Sequence, residues 1–174
     1  MEPEGIPGDA SILIYLAKAD AFQVAHSCVG TILVPPSVWR EAVDEGERIG
    51  AVEVPRIRTA AEAGWLRRVE LSEREEVLAA TIAGVDRLGV GESEVIALAG
   101  RGGWAILDEG RAARVAEARG IKVVSTLFLP VVGRRARTLE EDEAIDLLRR
   151  LAVVIGPRAE VVYAIEQHLR MEQR

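Results

Sequence analysis

The stretch that most constrains the fold is residues 88–111, LGVGESEVIALAGRGGWAILDEGR. A Gly-flanked acidic pair, Glu92 and Glu94, opens an apolar helix that runs to about Leu98. The breaker Gly102-Gly103 follows, and the four apolar residues Trp104-Ala105-Ile106-Leu107 then read as a short buried strand. That strand ends on Asp108, and a new helix starts at once. In an open α/β sheet the crevice beyond the carboxyl ends of the strands is where ligands bind, so an acid at this place is a candidate site residue.

The rest of the chain repeats the alternation. Ser11 caps a helix carrying Ile12, Leu13, Leu16 and Ala17 at helical spacing, with Asp9 before it as a strand-end acid. The strand that should precede Asp9 is poor, because Pro7 cannot donate to a ladder and argues against a central strand. Residues 20–28 read as a helix and 31–34 as a strand. Pro36 or Ser37 opens the next helix, with Val38, Trp39, Ala42 and Val43 on one face and Glu41 beside it. A short strand is expected at 51–54, a helical turn at 59–64 and an extended segment at 65–71. Helices are expected at 73–82 and 111–119, a strand at 122–126, and amphipathic helices at 140–154 and 158–171. Strands alternating with helices favour a parallel sheet covered on both faces. A length of 174 residues suits one domain.

Composition narrows the function. The net charge of −6 argues against a broad basic surface for duplex nucleic acid. A local basic groove stays open, since the cations are almost all arginine, with only Lys18 and Lys122 as lysines. No apolar run reaches the length of a membrane span. The opening MEPEGIPGD lacks the apolar region of a secretory signal. A single cysteine, Cys28, excludes an internal disulfide and suits a reducing, cytoplasmic setting, with a buried apolar role expected for it.

Four acids stand at corresponding places: Asp9 after the first strand, Glu41 on the helix after the second, Glu92 opening the helix before the next buried strand, and Asp108 ending it. In a parallel sheet these places share one edge. Carboxylates gathered there raise one another's pKa, and a divalent cation removes that penalty. Hard oxygen ligands suit Mg²⁺ or Mn²⁺, and such an ion can acidify a water and neutralise a phosphoryl oxygen. His26 and His168 lie away from strand ends, so a zinc site of His and Cys is not expected. The alternative is that Glu41 and Glu92 are solvated helix acids, and that Glu92 and Asp108 are caps.

These blocks also resemble a known family. Asp9-Ala-Ser11-Ile-Leu-Ile14, Ile32-Leu-Val-Pro-Pro-Ser-Val38 with Glu41, Leu88-Gly-Val-Gly-Glu92-Ser-Glu94, Ile106-Leu-Asp108-Glu109 and Gly120-Ile-Lys-Val-Val124 occur in the order found in PIN domains. The chain is most similar to a prokaryotic subfamily related to the VapC-type toxins. The ordered blocks cover about residues 9–127, with C-terminal helices beyond, about 139–171. The resemblance implies a three-layer α/β/α sandwich with a central parallel sheet and an acid cluster binding Mg²⁺ or Mn²⁺. It implies hydrolysis of RNA phosphodiester bonds, often by a toxin held by a cognate antitoxin. It places the family's acids on Asp9, Glu41, Glu92 and Asp108, with Ser11 as a supporting hydroxyl and Glu94 as the competitor for the third position. The last helices are expected to mediate dimerisation or partner binding, and a homodimer is expected.

Other residues are open to two readings. Arg111 and Arg114 fit a solvated helix face better than a phosphate contact. Arg134, Arg135 and Arg137 are the best basic run for an RNA-contacting edge. Trp39, Trp65 and Trp104 are expected to pack in the core. A competing function is a degenerate PIN module that binds RNA or a protein without cleaving. A phosphoacceptor receiver domain fits less well, because its lysine ends a late strand whereas Lys122 begins one.

Overall fold

The computed structural model describes residues 5–171, so the expectation about a leader, which rests on residues 1–9, lies partly outside the described residues. Among the described residues five short parallel strands form the sheet: β1 (Ile6–Pro7), β2 (Ile32–Val34), β3 (Leu66–Arg68), β4 (Trp104–Ile106) and β5 (Lys122–Val124). β1 pairs with β2 in the register Ile6 to Ile32, and β2 pairs with β3 in the register Ile32 to Leu66. β4 pairs with β5, Trp104 opposite Lys122. A parallel bridge between Gly8 and Ile106 joins the two ladders, giving the spatial order β3-β2-β1-β4-β5. Each parallel neighbour needs a crossover, and the helices supply it. The result is the mostly helical α/β/α fold that the alternation of elements implies.

β1 corrects the expectation drawn from Pro7. The strand is present and central, although it carries a proline. The N–H groups of Ile6 and Gly8 donate to Thr31 and Leu33 of the β2 side, at 3.0 and 3.1 Å, and that of Asp9 donates to Ile106 on the β4 side, at 3.4 Å. Alternation along a parallel strand therefore aims residue 7 toward β4, at the very start of that strand. The ladder loses one bond there and keeps the rest.

The helices are α1 (Ala10–Lys18), α2 (Phe22–Val29), α3 (Pro36–Trp39), α4 (Gly46–Arg48), α5 (Val54–Glu62), α6 (Glu73–Asp86), α7 (Val90–Ala99), α8 (Gly110–Glu117), α9 (Leu129–Arg135), α10 (Glu141–Ile155) and α11 (Ala159–Met171). Between α3 and α4 the helix widens into a π-helical turn over Arg40–Glu45, which contains Glu41. Residues 51–54 are not a strand: Pro55 sits in the first turn of α5, where its fixed φ and missing N–H fit a helix start. A 3₁₀ turn, Thr126–Phe128, and α9 follow β5, neither of them among the elements expected from the sequence, with Pro130 in the first turn of α9. Among the described residues no helix is long and apolar enough to cross a membrane.

The core is one continuous cluster. Ile12, Leu13 and Leu16 of α1, Val95 and Ile96 of α7, and Ile106 of β4 are almost wholly buried in it. α10 and α11 belong to the same cluster through Leu147, Leu148, Leu151, Ile165 and Leu169. Each such side chain contributes about 1.5–3 kcal/mol by burial, so the last two helices are part of what holds the fold.

Candidate active site

The carboxyl edge of the sheet collects the four acids. Asp9 follows β1 and is the N-cap of α1, its Oδ1 accepting the Ile12 N–H at 3.1 Å. Ser11 is therefore not the cap. The backbone N–H of Asp108 also donates to the Asp9 carboxylate. Only 4% of Asp9 is exposed. Burial, then the charge of Asp108, and to a smaller degree that of Glu92, push its pKa up to about 7 against the pull of the two N–H bonds.

Asp108 stands just past β4, and its carboxylate accepts the Thr126 N–H at 2.8 Å and the Thr126 hydroxyl. Burial raises its pKa, and the two Thr126 bonds oppose the rise. It does not cap α8. That role falls to Glu109, whose carboxylate accepts the N–H groups of Arg111 and Ala112, both at 2.8 Å. The fully buried Thr126 is the site residue that sequence reasoning missed. Its signal was present as a hydroxyl residue just past β5, the strand paired with β4.

Glu92 lies in the first turn of α7, where its Oε2 accepts the Gly89 N–H at 3.0 Å. The capping alternative is thus correct for this residue in part, since one oxygen caps and the other makes no bond within the described residues. Glu94 is different. Its two oxygens accept the N–H and hydroxyl of Ser37, at 2.8 and 2.7 Å, and so tie α7 to the start of α3. Glu41 sits on the exposed rim, in the widened turn. Partial desolvation, then the charges of Glu45 and Glu92, raise its pKa. Gly91 permits this approach, since a Cβ there would lie 3.3 Å from Val38 and 3.7 Å from the Glu41 Oε2.

Mutual repulsion therefore links Asp108 to Asp9, Asp9 to Glu92, and Glu92 to Glu41. None of the four is in an ion pair among the described residues. Ser11 is partly exposed in the first turn of α1 and makes no side-chain hydrogen bond among the described residues.

The basic candidates divide. Arg111 and Arg114 are exposed on α8. Arg134 serves the fold, donating to the Leu139 carbonyl at 2.9 Å and lying 3.7 Å from Glu140. Arg135 and Asp108 share the wall of an open cavity of about 940 Å³ that also takes in Val123, Val124 and Phe128. Trp39 is buried, as expected, under the Arg68 guanidinium at 4.9 Å. Trp104 departs from the expectation, being 41% exposed at the sheet's far end with the Lys122 ammonium 5.0 Å from its ring. Lys122 is thus at the opposite end of the sheet from the acids.

Among the described residues no group of three or more His, Cys, Asp or Glu side chains is drawn close enough to form a metal cage by itself. The donor set nevertheless fits a hard cation held by one or two carboxylates and its own waters, the usual condition of Mg²⁺ in proteins. The burial of Asp9 and its repulsion by Asp108 and Glu92 are what a bound divalent cation would relieve.

The family model described as DUF3368, a PIN domain, matches residues 8–159. No curated protein and no solved structure matches the chain. PIN domains are commonly nucleases that act on nucleic acids, and they generally use divalent metals. The match spans most of the sequence and every acid described above, and the chain belongs to the PIN-domain family.

Proposed function

We propose that this chain, as one PIN-like domain, is a metal-dependent endoribonuclease whose site is Asp9, Glu41, Glu92 and Asp108, supported by Ser11. The observation that carries the reading is Asp9. A carboxyl at the end of the central strand is buried, lifted to a pKa of about 7 by its surroundings and its acidic neighbours, and in no ion pair among the described residues. Folding does not favour such an arrangement for its own sake, and perturbed groups of this kind cluster at functional sites.

Asp9, Glu92 and Asp108 would hold Mg²⁺ or Mn²⁺ with Glu41 at the rim. When bound, the ion supplies an acidified water and neutralises charge on a phosphoryl oxygen. Thr126 orients the Asp108 carboxylate, and the Ile12 and Asp108 N–H groups orient that of Asp9. Glu94 and Ser37 fix α7 against α3, which sets the separation of Glu92 from Glu41. Ser11, partly exposed in the first turn of α1, supplies a hydroxyl that can orient a water. The substrate is single-stranded or looped RNA, whose phosphates can reach a cluster set at strand ends. The resemblance to VapC-type toxins supports a role as the toxin of a pair, acting in the cytoplasm and held by a cognate antitoxin.

Cleavage of a labelled RNA with Mg²⁺ or Mn²⁺, stopped by EDTA, is the direct test. Asp108→Asn should abolish it, and full activity in that variant would refute the assignment. The spread of the acids favours one other reading, a non-cleaving module. Calorimetry separates the two, because that module would not bind Mn²⁺.

A further inference from the structure

The turn that holds Asp108 also builds the wall of the open cavity beside it. Thr126 is fully buried and binds the Asp108 carboxylate. Its neighbours Ser125 and Phe128 line the cavity of about 940 Å³, together with Val123 and Val124 of β5 and Val131 of α9. Asp108 stands in the same wall. The acid edge and the cavity therefore meet at one carboxylate and are tied together by one turn. The wall also offers unused binding groups. Phe128 is a large aromatic side chain left 47% exposed. The Ser125 hydroxyl makes no hydrogen bond among the described residues. In the β4–β5 ladder the Lys122 N–H donates to Gly103 and the Val124 carbonyl accepts from Leu107. Val123, between them, thus turns its N–H and carbonyl to the open side of the sheet. A few polar groups set on a mostly apolar wall are the usual make-up of a small-ligand site.

We propose that this cavity is a base-binding subsite, which receives one unpaired nucleobase of the RNA beside the phosphate at the acid edge. Phe128 is the stacking surface, and the Ser125 hydroxyl and the Val123 backbone read the edge of the base. The choice of RNA as the molecule that supplies the base rests on the proposed nuclease function. The neutrality of the occupant follows from the charges around it. Among the described residues the charged side chains of the wall are Asp108, Glu117 and Arg135, the last bonded to His168. Two acids against one arginine disfavour a phosphate inside the cavity and leave a neutral heterocycle unaffected. Bases of single-stranded RNA are splayed out, stacked on aromatic side chains and hydrogen-bonded on their edges in the same way.

A peptide added to β5 as a further strand suits the cavity less well. Strand addition draws on a run of outward backbone groups, whereas β5 is three residues long and offers the one pair at Val123. Stacking strength sets the preference among bases at such a site, so a purine, with its larger π face, is favoured over a pyrimidine. The subsite then selects where the RNA is cut, because the base that it holds fixes which phosphate lies at Asp108.

Methyl NMR of the full chain in EDTA tests this with adenosine and uridine, which carry no phosphate and need no metal. Adenosine, titrated through the millimolar range, should shift the methyl signals of Val123, Val124 and Val131, and uridine should bind more weakly. Phe128→Ala should weaken adenosine binding about tenfold, and Phe128→Tyr should retain it. Far-UV circular dichroism checks folding, and Phe128→Leu, which keeps an apolar side chain without the ring, replaces Phe128→Ala if that variant unfolds. In cleavage assays with Mg²⁺, an abasic nucleotide beside the cut should raise KM with kcat little changed. Methyl signals unmoved by both nucleosides would overturn the proposal even if RNA is cleaved, and would leave a peptide as the occupant. Shifts that persist undiminished without the Phe128 ring would overturn it too. Shifts that depend on Phe128 in a protein that cleaves no RNA would uphold the base site and refute the nuclease reading alone.

Discussion

Replacing Asp9 by asparagine should make this protein more stable at neutral pH and less stable in acid. Unfolded, the carboxyl ionises at 3.8; folded, it ionises at about 7. Below 3.8 both states carry the proton and the shift has no effect. As pH rises from 3.8 through about 7, the unfolded state loses its proton first, so stability falls, and above 7 the whole difference is lost. At about 1.4 kcal/mol per pH unit, the loss is about 4 kcal/mol. Asparagine keeps an oxygen for the Ile12 N–H but cannot accept as fully from the Asp108 N–H, which costs about 1 kcal/mol at every pH. In EDTA, urea unfolding should find Asp9→Asn about 1 kcal/mol below wild type near pH 3 and about 3 kcal/mol above it near pH 8. Added Mg²⁺ or Mn²⁺ should stabilise the wild type at pH 8 and close most of that gap. A difference between the two proteins that stays constant with pH would refute the burial-and-repulsion account of Asp9.

Thr126→Val removes the hydroxyl that donates to Asp108 and should cost about 1.5–3 kcal/mol in urea unfolding at neutral pH. Thr126→Ser should recover most of that loss, and Thr126→Val should raise the Asp108 pKa further, which NMR titration can follow. The two neighbouring glutamates should separate by assay. Glu94→Gln should lower stability by about 1–2 kcal/mol through its weakened bonds to Ser37 while RNA cleavage continues. Glu92→Gln should leave unfolding nearly unchanged, because glutamine can still cap Gly89, and should reduce cleavage to background. Equal loss of activity in both variants would contradict their division into a structural and a site residue.

The alternation of elements was legible because it rests on burial. Buried strands such as 32–34 are apolar at every position, and a helix such as α1 repeats its apolar residues at helical spacing. Position at the sheet edge was legible for the same reason, which is why Asp9, Glu41, Glu92 and Asp108 could be chosen as candidates. What failed was local chemistry decided by distant partners. Pro7 looks prohibitive in isolation, but the ladder loses only the one bond that Pro7 itself cannot donate, and the N–H groups of Ile6, Gly8 and Asp9 are all bonded. Pro55 reads as the end of a strand or the start of a helix equally well until the packing of Val54 and Ile57 is known. The difference between Glu92 and Glu94 was not visible because it is made by Ser37, far away in sequence. Likewise the partner of Asp108 is a threonine just past the next strand, and no spacing rule within one element could have found it.

The central place of β1 has a consequence for synthesis. The strand nearest the amino terminus leaves the ribosome first, yet its neighbour β4 includes Ile106 and arrives only after the other half of the sheet has been made. Until then Asp9 stays in water with an ordinary carboxyl, since the groups that bury and repel it have not been translated. Between the synthesis of residue 9 and that of residue 108 the nascent chain is therefore without an assembled acidic edge, which forms only once β4 has been made and can pair with β1.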